Sequence, residues 1–583
     1  MPTRFNRTVH LLYVLVAASA VYVFAHWPAL TNPYVIDDDV RQQIFWMQQW
    51  QDPELYQDDL LTEYAKNYVP WGVQAIYKAA VGFINPVQFT KILTALLFVI
   101  NAGLFFGLGL QFHDELAPIF IGLTFCAMGD FMMKISGGLS QSFGFPLLTA
   151  YLFFLGRNNL VAAGAVIFLE SLLNPYIFLL CTVTHGIFLS YNIGRVIVPR
   201  FWRQDLSNPH CSTRGISAQQ EMPPEDETGF FSSIIKELRA SSIRPLTILV
   251  SALLVGAGCG LILLKYAFYS PPEFGPLVTW ADMVGKIEFT EAGRYEIMPI
   301  APMFYELIRP WIFNLPFTTW GLLPAWILAC LGLAVIIFAL TRCKWDMDLS
   351  SGFRVFGYLL AASLLCYLAS CVFIFKLFVP RRYLEFSINV FYCVAIGACI
   401  RVALGRVRSW PIAFPVASTL FIIFAAFNLY YVGIYDYSKD AALYRFVQST
   451  TPKTSLMAGP PDLMDNVLTF GRRKAFVTYK LSHPWYTLYW EIIKRRTFDF
   501  FRAYYSGDPK EVREFCLKNG IDYLLVRDED FSPKYVKRER IHFEPFDTYI
   551  RDLVNSRSHF AILDRKAFPP IYETHGVRVL KMH

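Results

Sequence analysis

Phe89-Thr90-Lys91-Ile92-Leu93-Thr94-Ala95-Leu96-Leu97-Phe98-Val99-Ile100-Asn101-Ala102-Gly103-Leu104-Phe105-Phe106-Gly107-Leu108-Gly109-Leu110-Gln111-Phe112 is an apolar run with only a few polar interruptions. A helix needs about 20 mostly apolar residues to cross the hydrocarbon of a bilayer. This stretch has that length, and runs of the same kind recur along the chain. They lie near Val9–Leu30, Leu116–Ile135, Leu139–Leu155, Leu160–Leu173, Pro175–Ile193, Pro245–Tyr269, Thr318–Leu340, Phe353–Phe375, Leu384–Ile400 and Pro411–Val432. The expectation is a polytopic α-helical membrane protein with about eleven transmembrane helices. The stretch Val69–Ile84 is amphipathic and suits the membrane interface.

Composition agrees with this reading. Of 583 residues, 55% are hydrophobic and 17% charged, whereas a soluble chain carries about 25% charged residues. The net charge of +7 is modest, and the basic residues cluster beside the apolar blocks. That pattern suits a cytoplasmic leaflet and excludes a nucleic-acid partner. The 11 Cys form no CxxC pair, and most sit inside apolar runs, where a thiol behaves as a small hydrophobe. Neither a disulfide framework nor a zinc cluster follows from them.

Arg4 and Arg7 precede the first run, so the N-terminus is expected on the cytoplasmic side. Counting alternately, Arg157, then Arg195, Arg200 and Arg203, then Arg342, Lys344 and Arg354, then Arg401, Arg406 and Arg408 fall inside. The first run resembles a signal peptide with Ala18-Ser19-Ala20 as a cleavage site. Its apolar stretch continues past that point, so it is read as a retained anchor.

Residues 1–435 are thus expected to form the membrane part, with an acidic first outside loop (31–87), a cytoplasmic loop (194–244) and an outside loop (270–316). Beyond Val432 the chain becomes charged, with strand-like runs at Ser455–Ala458, Lys474–Thr478, Tyr523–Val526 and Val577–Leu580. Asp508 suits a helix cap before Pro509, and Gly520 a helix end before a strand. Residues 436–583 are therefore predicted to be a small mixed α/β domain on the extracytoplasmic side.

Three polar clusters can carry chemistry. Tyr34-Val35-Ile36-Asp37-Asp38-Asp39-Val40-Arg41 puts three adjacent carboxylates just outside the first span. Their mutual repulsion raises at least one pKa unless Arg41 or a metal compensates. A second acidic group, Asp58, Asp59 and Glu63, follows in the same loop. Together they offer a general base and a partner that positions an acceptor, although Asp37–Asp39 and Asp58–Asp59 equally suit caps for helices through Val40–Gln51 and beyond Asp59.

The turn Pro380-Arg381-Arg382-Tyr383 offers a guanidinium fork for a phosphate; membrane anchoring uses the same residues. Glu288, Glu291, Arg294 and Tyr295 mark a further substrate-contacting loop, of a composition that ordinary loops share. Within the spans Lys134, Gln141, Glu170, Asn174 and His185 are polar exceptions, and intramembrane ionisable groups face a bundle interior or cavity. His483-Pro484-Trp485-Tyr486 places aromatic faces where they either stack on sugar rings or dock the segment. No P-loop, dinucleotide fingerprint or nucleophile elbow is present.

In this combination the chain resembles the GT-C class of polytopic membrane glycosyltransferases, which use polyprenyl-phosphate sugars. The resemblance rests on Asp37-Asp38-Asp39 in the first outside loop, Pro380-Arg381-Arg382-Tyr383 between late spans, and the overall layout. Asn519-Gly520-Ile521-Asp522-Tyr523-Leu524-Leu525-Val526 looks like the tail domain of bacterial members. The resemblance implies an inverting transfer from a polyprenyl-phosphate donor to an extracytoplasmic glycan, lipid or protein acceptor. Arg381, Arg382 and Tyr383 would hold the donor phosphate. One of Asp37, Asp38 and Asp39, Asp38 first among them, would act as base. It further implies a bacterial inner membrane, and some members bind a divalent cation. The three carboxylates offer ligands for Mg²⁺, Mn²⁺ or Ca²⁺. The competing readings are a transporter or flippase of a lipid-linked solute, which predicts interrupted helices in an inverted repeat, and a non-catalytic membrane scaffold.

Overall fold

A computed structural model describes residues 4–206, 244–268, 271–296, 348–373, 377, 379–404 and 410–582. The run Thr318–Leu340, most of the 194–244 loop and the later part of the 270–316 loop lie outside the described residues. The first helix, α1 (Arg4–Ala25), leads into a loop that opens with the short strand β1 (Val35–Ile36). Helices α2 (Leu60–Tyr68) and α3 (Trp71–Ala80) complete that loop. The 89–112 run then forms α4 (Pro86–Gly109). Asn85 starts α4: its Oδ1 accepts from the Val87 N–H at 2.9 Å, and Pro86 sits in the first turn, where no amide proton is needed.

The Leu116–Ile135 run is not one straight span. It divides into α5 (Ala117–Ala127) and α6 (Gly129–Ile135), bent by 66° where Met128 takes an extended conformation. Helices α7 (Gly144–Gly156) and α8 (Leu160–Leu173) hold only 13 and 14 residues. At about 1.5 Å per residue neither reaches across a hydrocarbon core of about 30 Å. Next come α9 (Pro175–Leu206), α10 (Pro245–Leu263), α11 (Leu349–Val372), α12 (Arg381–Leu404) and α13 (Trp410–Leu429). Among the described residues, six helices are long and apolar enough to cross a membrane, or up to seven with the bent pair taken as one. The expected eleven also counted short apolar helices, because hydropathy alone does not distinguish a span from a buried or re-entrant helix. The chain is an integral membrane protein.

Without a hydrophobic drive between helices in lipid, close backbone approach at small residues holds a bundle together. Gly397 in α12 lies against α5, where an added Cβ would meet Ile121 Cα at 2.6 Å and Ile121 N at 2.9 Å. Backbone cannot swing aside as a side chain can. Gly397→Ala is therefore expected to destabilise the bundle by about 1–3 kcal/mol, seen as a lower midpoint of thermal unfolding in detergent. An unchanged midpoint would mean that α12 shifts at no cost.

After α13, β2 (Tyr435–Asp436) pairs antiparallel with β1, with Val35 opposite Asp436 and Ile36 opposite Tyr435. The end of the bundle is thereby tied back to the first loop. Beyond it run β3 (Leu456–Ala458), β4 (Lys474–Ala475), α14 (Thr487–Tyr504), α15 (Pro509–Asn519), β5 (Tyr523–Arg527), β6 (Pro570–Thr574) and β7 (Val577–Lys581). Strands β3–β7 form one sheet in the order β4-β3-β5-β7-β6, parallel across β4, β3 and β5 and antiparallel from β5 outward. Asp508 caps α15 by accepting from the Lys510 N–H, and Gly520 ends it at φ +63°. Tyr489, Trp490, Ile493, Thr497, Phe500, Phe501 and Tyr504 are buried on α14 at helical spacing. One continuous apolar core runs from Val14 in α1 through the first loop to Leu580 in β7.

A candidate active-site cavity

The acidic triplet follows β1 directly. The sequence suggested a helix through Val40–Gln51 capped by these acids. Instead one α-turn, Val40–Gln43, gives way to a 3₁₀ turn, Phe45–Trp50, and no Asp39 side chain caps it. Asp37 Oδ1 accepts from the Asp39 N–H at 2.9 Å, an Asx-type bond that competes with helix continuation. The tight turn sets Asp37 apart, against Gly137, while Asp38 and Asp39 both reach Lys480.

Asp37 is buried against the Gly137–Gly138 turn, where a Cβ on Gly137 (φ +86°) would meet the Asp37 Cβ at 2.9 Å. Burial, followed by the charge of Asp39, pushes the Asp37 carboxyl well above the usual carboxylate range. Asp38 faces Arg41 and Lys480, pairs with both, and accepts from Tyr437 Oη at 2.8 Å. Burial would raise its pKa, but the two cations outweigh burial and hold it at about 2. Arg41 is fixed in turn by Asn466 Oδ1 at 2.8 Å and by the Tyr437 ring 4.1 Å from its guanidinium carbon. Asp39 touches Lys480 Nζ at 3.2 Å and lines an adjacent cavity.

That cavity has a volume of about 340 Å³. Asp39, Gln42 and Gln43, three and four residues apart on the turn, contribute one wall. The breaks before α7 and between α8 and α9 add Ser140, Gln141, Asn174 and Tyr176, and the start of α12 adds Arg382. The 277–295 loop and the segment after β4 close it with Arg294, Tyr295, Lys480, Trp485 and Tyr486. Among the described residues its lining cations are Lys265, Arg294, Arg382 and Lys480, and its only lining carboxylate is Asp39. Such a surplus of positive charge in a low-dielectric hollow attracts an anion.

The cations are held differently. Lys265 Nζ donates to Val69 O at 2.5 Å, and Arg294 Nη2 donates to Lys480 O at 3.3 Å. Arg294 also lies over the Tyr479 ring at 4.9 Å. Arg382 lies over the Tyr176 ring at 4.6 Å, and its guanidinium makes no hydrogen bond among the described residues. Behind Gln42, His483 Nε2 lies 3.2 Å from the amide nitrogen, and His483 Nδ1 lies 3.1 Å from Tyr64 Oη. Burial, together with Arg294 and Lys480, keeps the His483 pKa well below its usual value. A neutral ring accepts from Gln42 and donates to Tyr64, which fixes the Gln42 side chain.

Of the residues singled out in the sequence, Asp39, Gln141, Asn174, Arg294, Tyr295, Arg382, Trp485 and Tyr486 share this cavity, and Asp37 and Asp38, beside Asp39 on the turn, are not among its lining residues. The others lie elsewhere. Asp59 caps α2 by accepting from Thr62 N–H at 2.9 Å and Thr62 Oγ1 at 2.7 Å, Asp58 is exposed, and Glu63 pairs with Lys66. Tyr383 is buried with its Oη donating to Leu377 O at 2.6 Å, and Arg381 is not part of the cavity lining. Glu288 is paired with Lys494 at 2.5 Å, and Glu291 is exposed. Gln141 and Asn174 reach the cavity, whereas Glu170 is buried in the bundle and Lys134 pairs with Glu385 at 3.2 Å. Gln42, Gln43, Tyr68, Lys265 and Lys480 were not anticipated. Lys265 had a legible signal, a lysine closing an apolar run beside Tyr266.

The divalent cation entertained from the acidic run does not fit these residues. A metal needs carboxylate oxygens free to converge on it, but Asp38 and Asp39 converge on the Lys480 ammonium, Asp38 also pairs with Arg41, and the Asp37 Oδ1 is engaged by the Asp39 N–H. Among the described residues no group of three or more His, Cys, Asp or Glu is placed to hold a metal ion.

No family model and no curated protein matches the chain. It is similar to the solved structure of the Archaeoglobus fulgidus oligosaccharyltransferase in complex with Zn and sulfate, at 14% identity and a TM-score of 0.46, over 92% of this chain and 70% of that one. It is also similar to ArnT from Cupriavidus metallidurans bound to undecaprenyl phosphate, at 12% identity and a TM-score of 0.49, over 99% and 98% of the two chains. A third structure is that of AglB from Archaeoglobus fulgidus with an inhibitory peptide and a dolichol-phosphate, at 12% identity and a TM-score of 0.43, over 92% and 71%.

Proposed function

We propose that this chain is a membrane glycosyltransferase of the GT-C class that moves a sugar from a polyprenyl-phosphate donor to an extracytoplasmic acceptor. The observation that carries the reading is the meeting of Asp39 and Arg382 in one cavity, although 343 positions separate them in the sequence (382 − 39). A base and an anion holder lining one hollow match what the transfer needs.

The acceptor hydroxyl oxygen bonds to the anomeric carbon while the bond from that carbon to the phosphate oxygen breaks. The bonding pair leaves with the phosphate, and the hydroxyl proton passes to Asp39. Attack opposite the leaving group inverts the anomeric configuration. A phosphate already carries charge as it departs, so it requires electrostatic stabilisation more than a strong acid. Arg382 faces the growing charge, and Lys265 and Arg294 add to the positive field. Trp485, Tyr486 and Tyr295 offer flat aromatic faces to a sugar ring. The first loop, the start of α12 and the sheet segment lie on the extracytoplasmic side in this reading, which fits a bacterial inner membrane.

The test compares a long-chain polyprenyl phosphate with the matching polyprenol, each added to the purified protein in detergent. The phosphate is expected to raise the thermal midpoint and the alcohol to leave it unchanged. The polyprenyl-phosphate sugar should then yield a product of inverted configuration by NMR. Equal stabilisation by alcohol and phosphate would show that the cavity does not read the anion.

A further inference from the structure

We infer that Lys480 is the resident cation of the acidic turn, standing where a divalent metal would otherwise bridge Asp38 and Asp39, so that chemistry at this cavity is metal-independent. The catalytic meaning of this inference rests on the glycosyl-transfer reading above, whereas its ion chemistry does not.

Charge balance comes first. Burial favours the neutral form of Asp37, and the carboxylates of the turn that meet cations are those of Asp38 and Asp39. Two cations meet them. Arg41 pairs with Asp38, and Lys480 Nζ contacts Asp38 Oδ2 and lies 3.2 Å from Asp39 Oδ1. Both carboxylates therefore already have a cationic partner, and the neighbouring Asp465, which burial pushes up to about 7, adds less negative charge than an ordinary carboxylate. An added divalent ion would have to displace the ammonium from both oxygens and leave it next to a second cation.

Displacement is opposed by the backbone as well. The Lys480 N–H donates to Asp465 Oδ1 at 3.1 Å and Oδ2 at 3.2 Å, and Lys480 O accepts from Arg294 at 3.3 Å. The preceding Tyr479 N–H donates to Pro461 O at 3.1 Å. These bonds hold the Lys480 backbone in place over the turn, so its ammonium reaches Asp38 and Asp39 from a fixed Cα. A fixed ammonium also differs from a metal in what it does to Asp39. It donates hydrogen bonds that position the carboxylate, and it leaves the lone pairs facing the cavity free to take a proton.

Mn²⁺ binding to the purified, detergent-solubilised protein, read by loss of the free-ion EPR signal, tests this without any need for turnover. Wild type and Lys480→Arg are expected to take up no Mn²⁺ at millimolar concentration. Lys480→Met removes the cation that Asp38 and Asp39 share and should take up one ion per chain, and a Lys480→Met, Asp39→Asn double variant should lose that uptake. Saturable uptake by wild type that Asp39→Asn removes would overturn the inference. So would a folded Lys480→Met protein that binds none, and if Lys480→Met does not fold, the wild-type titration still decides. A parallel transfer assay separates this inference from the functional reading. Full wild-type transfer in EDTA supports it, and transfer abolished by EDTA and restored by Mg²⁺ refutes it. Absence of transfer with and without metal counts against the glycosyltransferase reading, and the Mn²⁺ titration then still decides the ion question.

Discussion

Asp39→Asn is expected to lower kcat for sugar transfer by about 10²–10⁴-fold, the range a positioned general base supplies, while the protein stays folded. An amide keeps the size of the side chain but cannot accept the acceptor's proton. Only Lys480 contacts the Asp39 carboxylate among the hydrogen bonds and ion pairs of the described residues, so the loss of one partner disturbs little else. Asp38→Asn should behave in the opposite sense. Its carboxylate joins Arg41, Lys480 and Tyr437, and removing it leaves two cations side by side with less compensation. The expected result is a clear fall in thermal midpoint, with a smaller fall in kcat than Asp39→Asn produces. Steady-state kinetics and thermal unfolding of the two variants, measured in one detergent, distinguish the roles. A dead Asp38→Asn beside an active Asp39→Asn would place the base at Asp38, as the sequence first suggested.

The neighbouring roles of these two residues show where sequence reasoning stops. Three adjacent aspartates carry an unmistakable electrostatic signal, and Arg382 was legible as a guanidinium at an outer turn. Which aspartate lines the cavity is set by the tight turn after β1, in which the Asp39 N–H donates to Asp37 Oδ1, and no composition rule forecasts that turn. Lys480 was harder still. It is an unremarkable lysine between strand-like runs, and its importance comes from the fold placing the segment after β4 over the first loop. The same limit applies to the spans. Hydrophobic length found α1, α4 and the late helices, yet it also counted α7 and α8, which are apolar but too short, and it treated the bent α5–α6 pair as straight. Conversely, Asp508 and Gly520 were correctly read as the ends of α15, because caps are local and need no tertiary information.

Arg382→Leu carries the second large effect, and it should appear mainly in the donor. The guanidinium is stacked on Tyr176 and makes no hydrogen bond among the described residues, so its donors are available to an entering phosphate. A hydrogen bond to a charged group contributes about 1.5–3 kcal/mol. Its loss corresponds to roughly a 10- to 150-fold rise in donor KM at about 1.4 kcal/mol per decade, with a further fall in kcat if the contact tightens as the phosphate departs. Arg382→Lys should recover part of the affinity through charge alone, but not the forked geometry. Arg381→Leu, outside the cavity lining, should raise donor KM far less. Binding of polyprenyl phosphate to the three variants, followed by native mass spectrometry, gives the order directly. If Arg381→Leu loses the lipid and Arg382→Leu keeps it, the phosphate does not sit in this cavity, and Asp39 would face no donor across it.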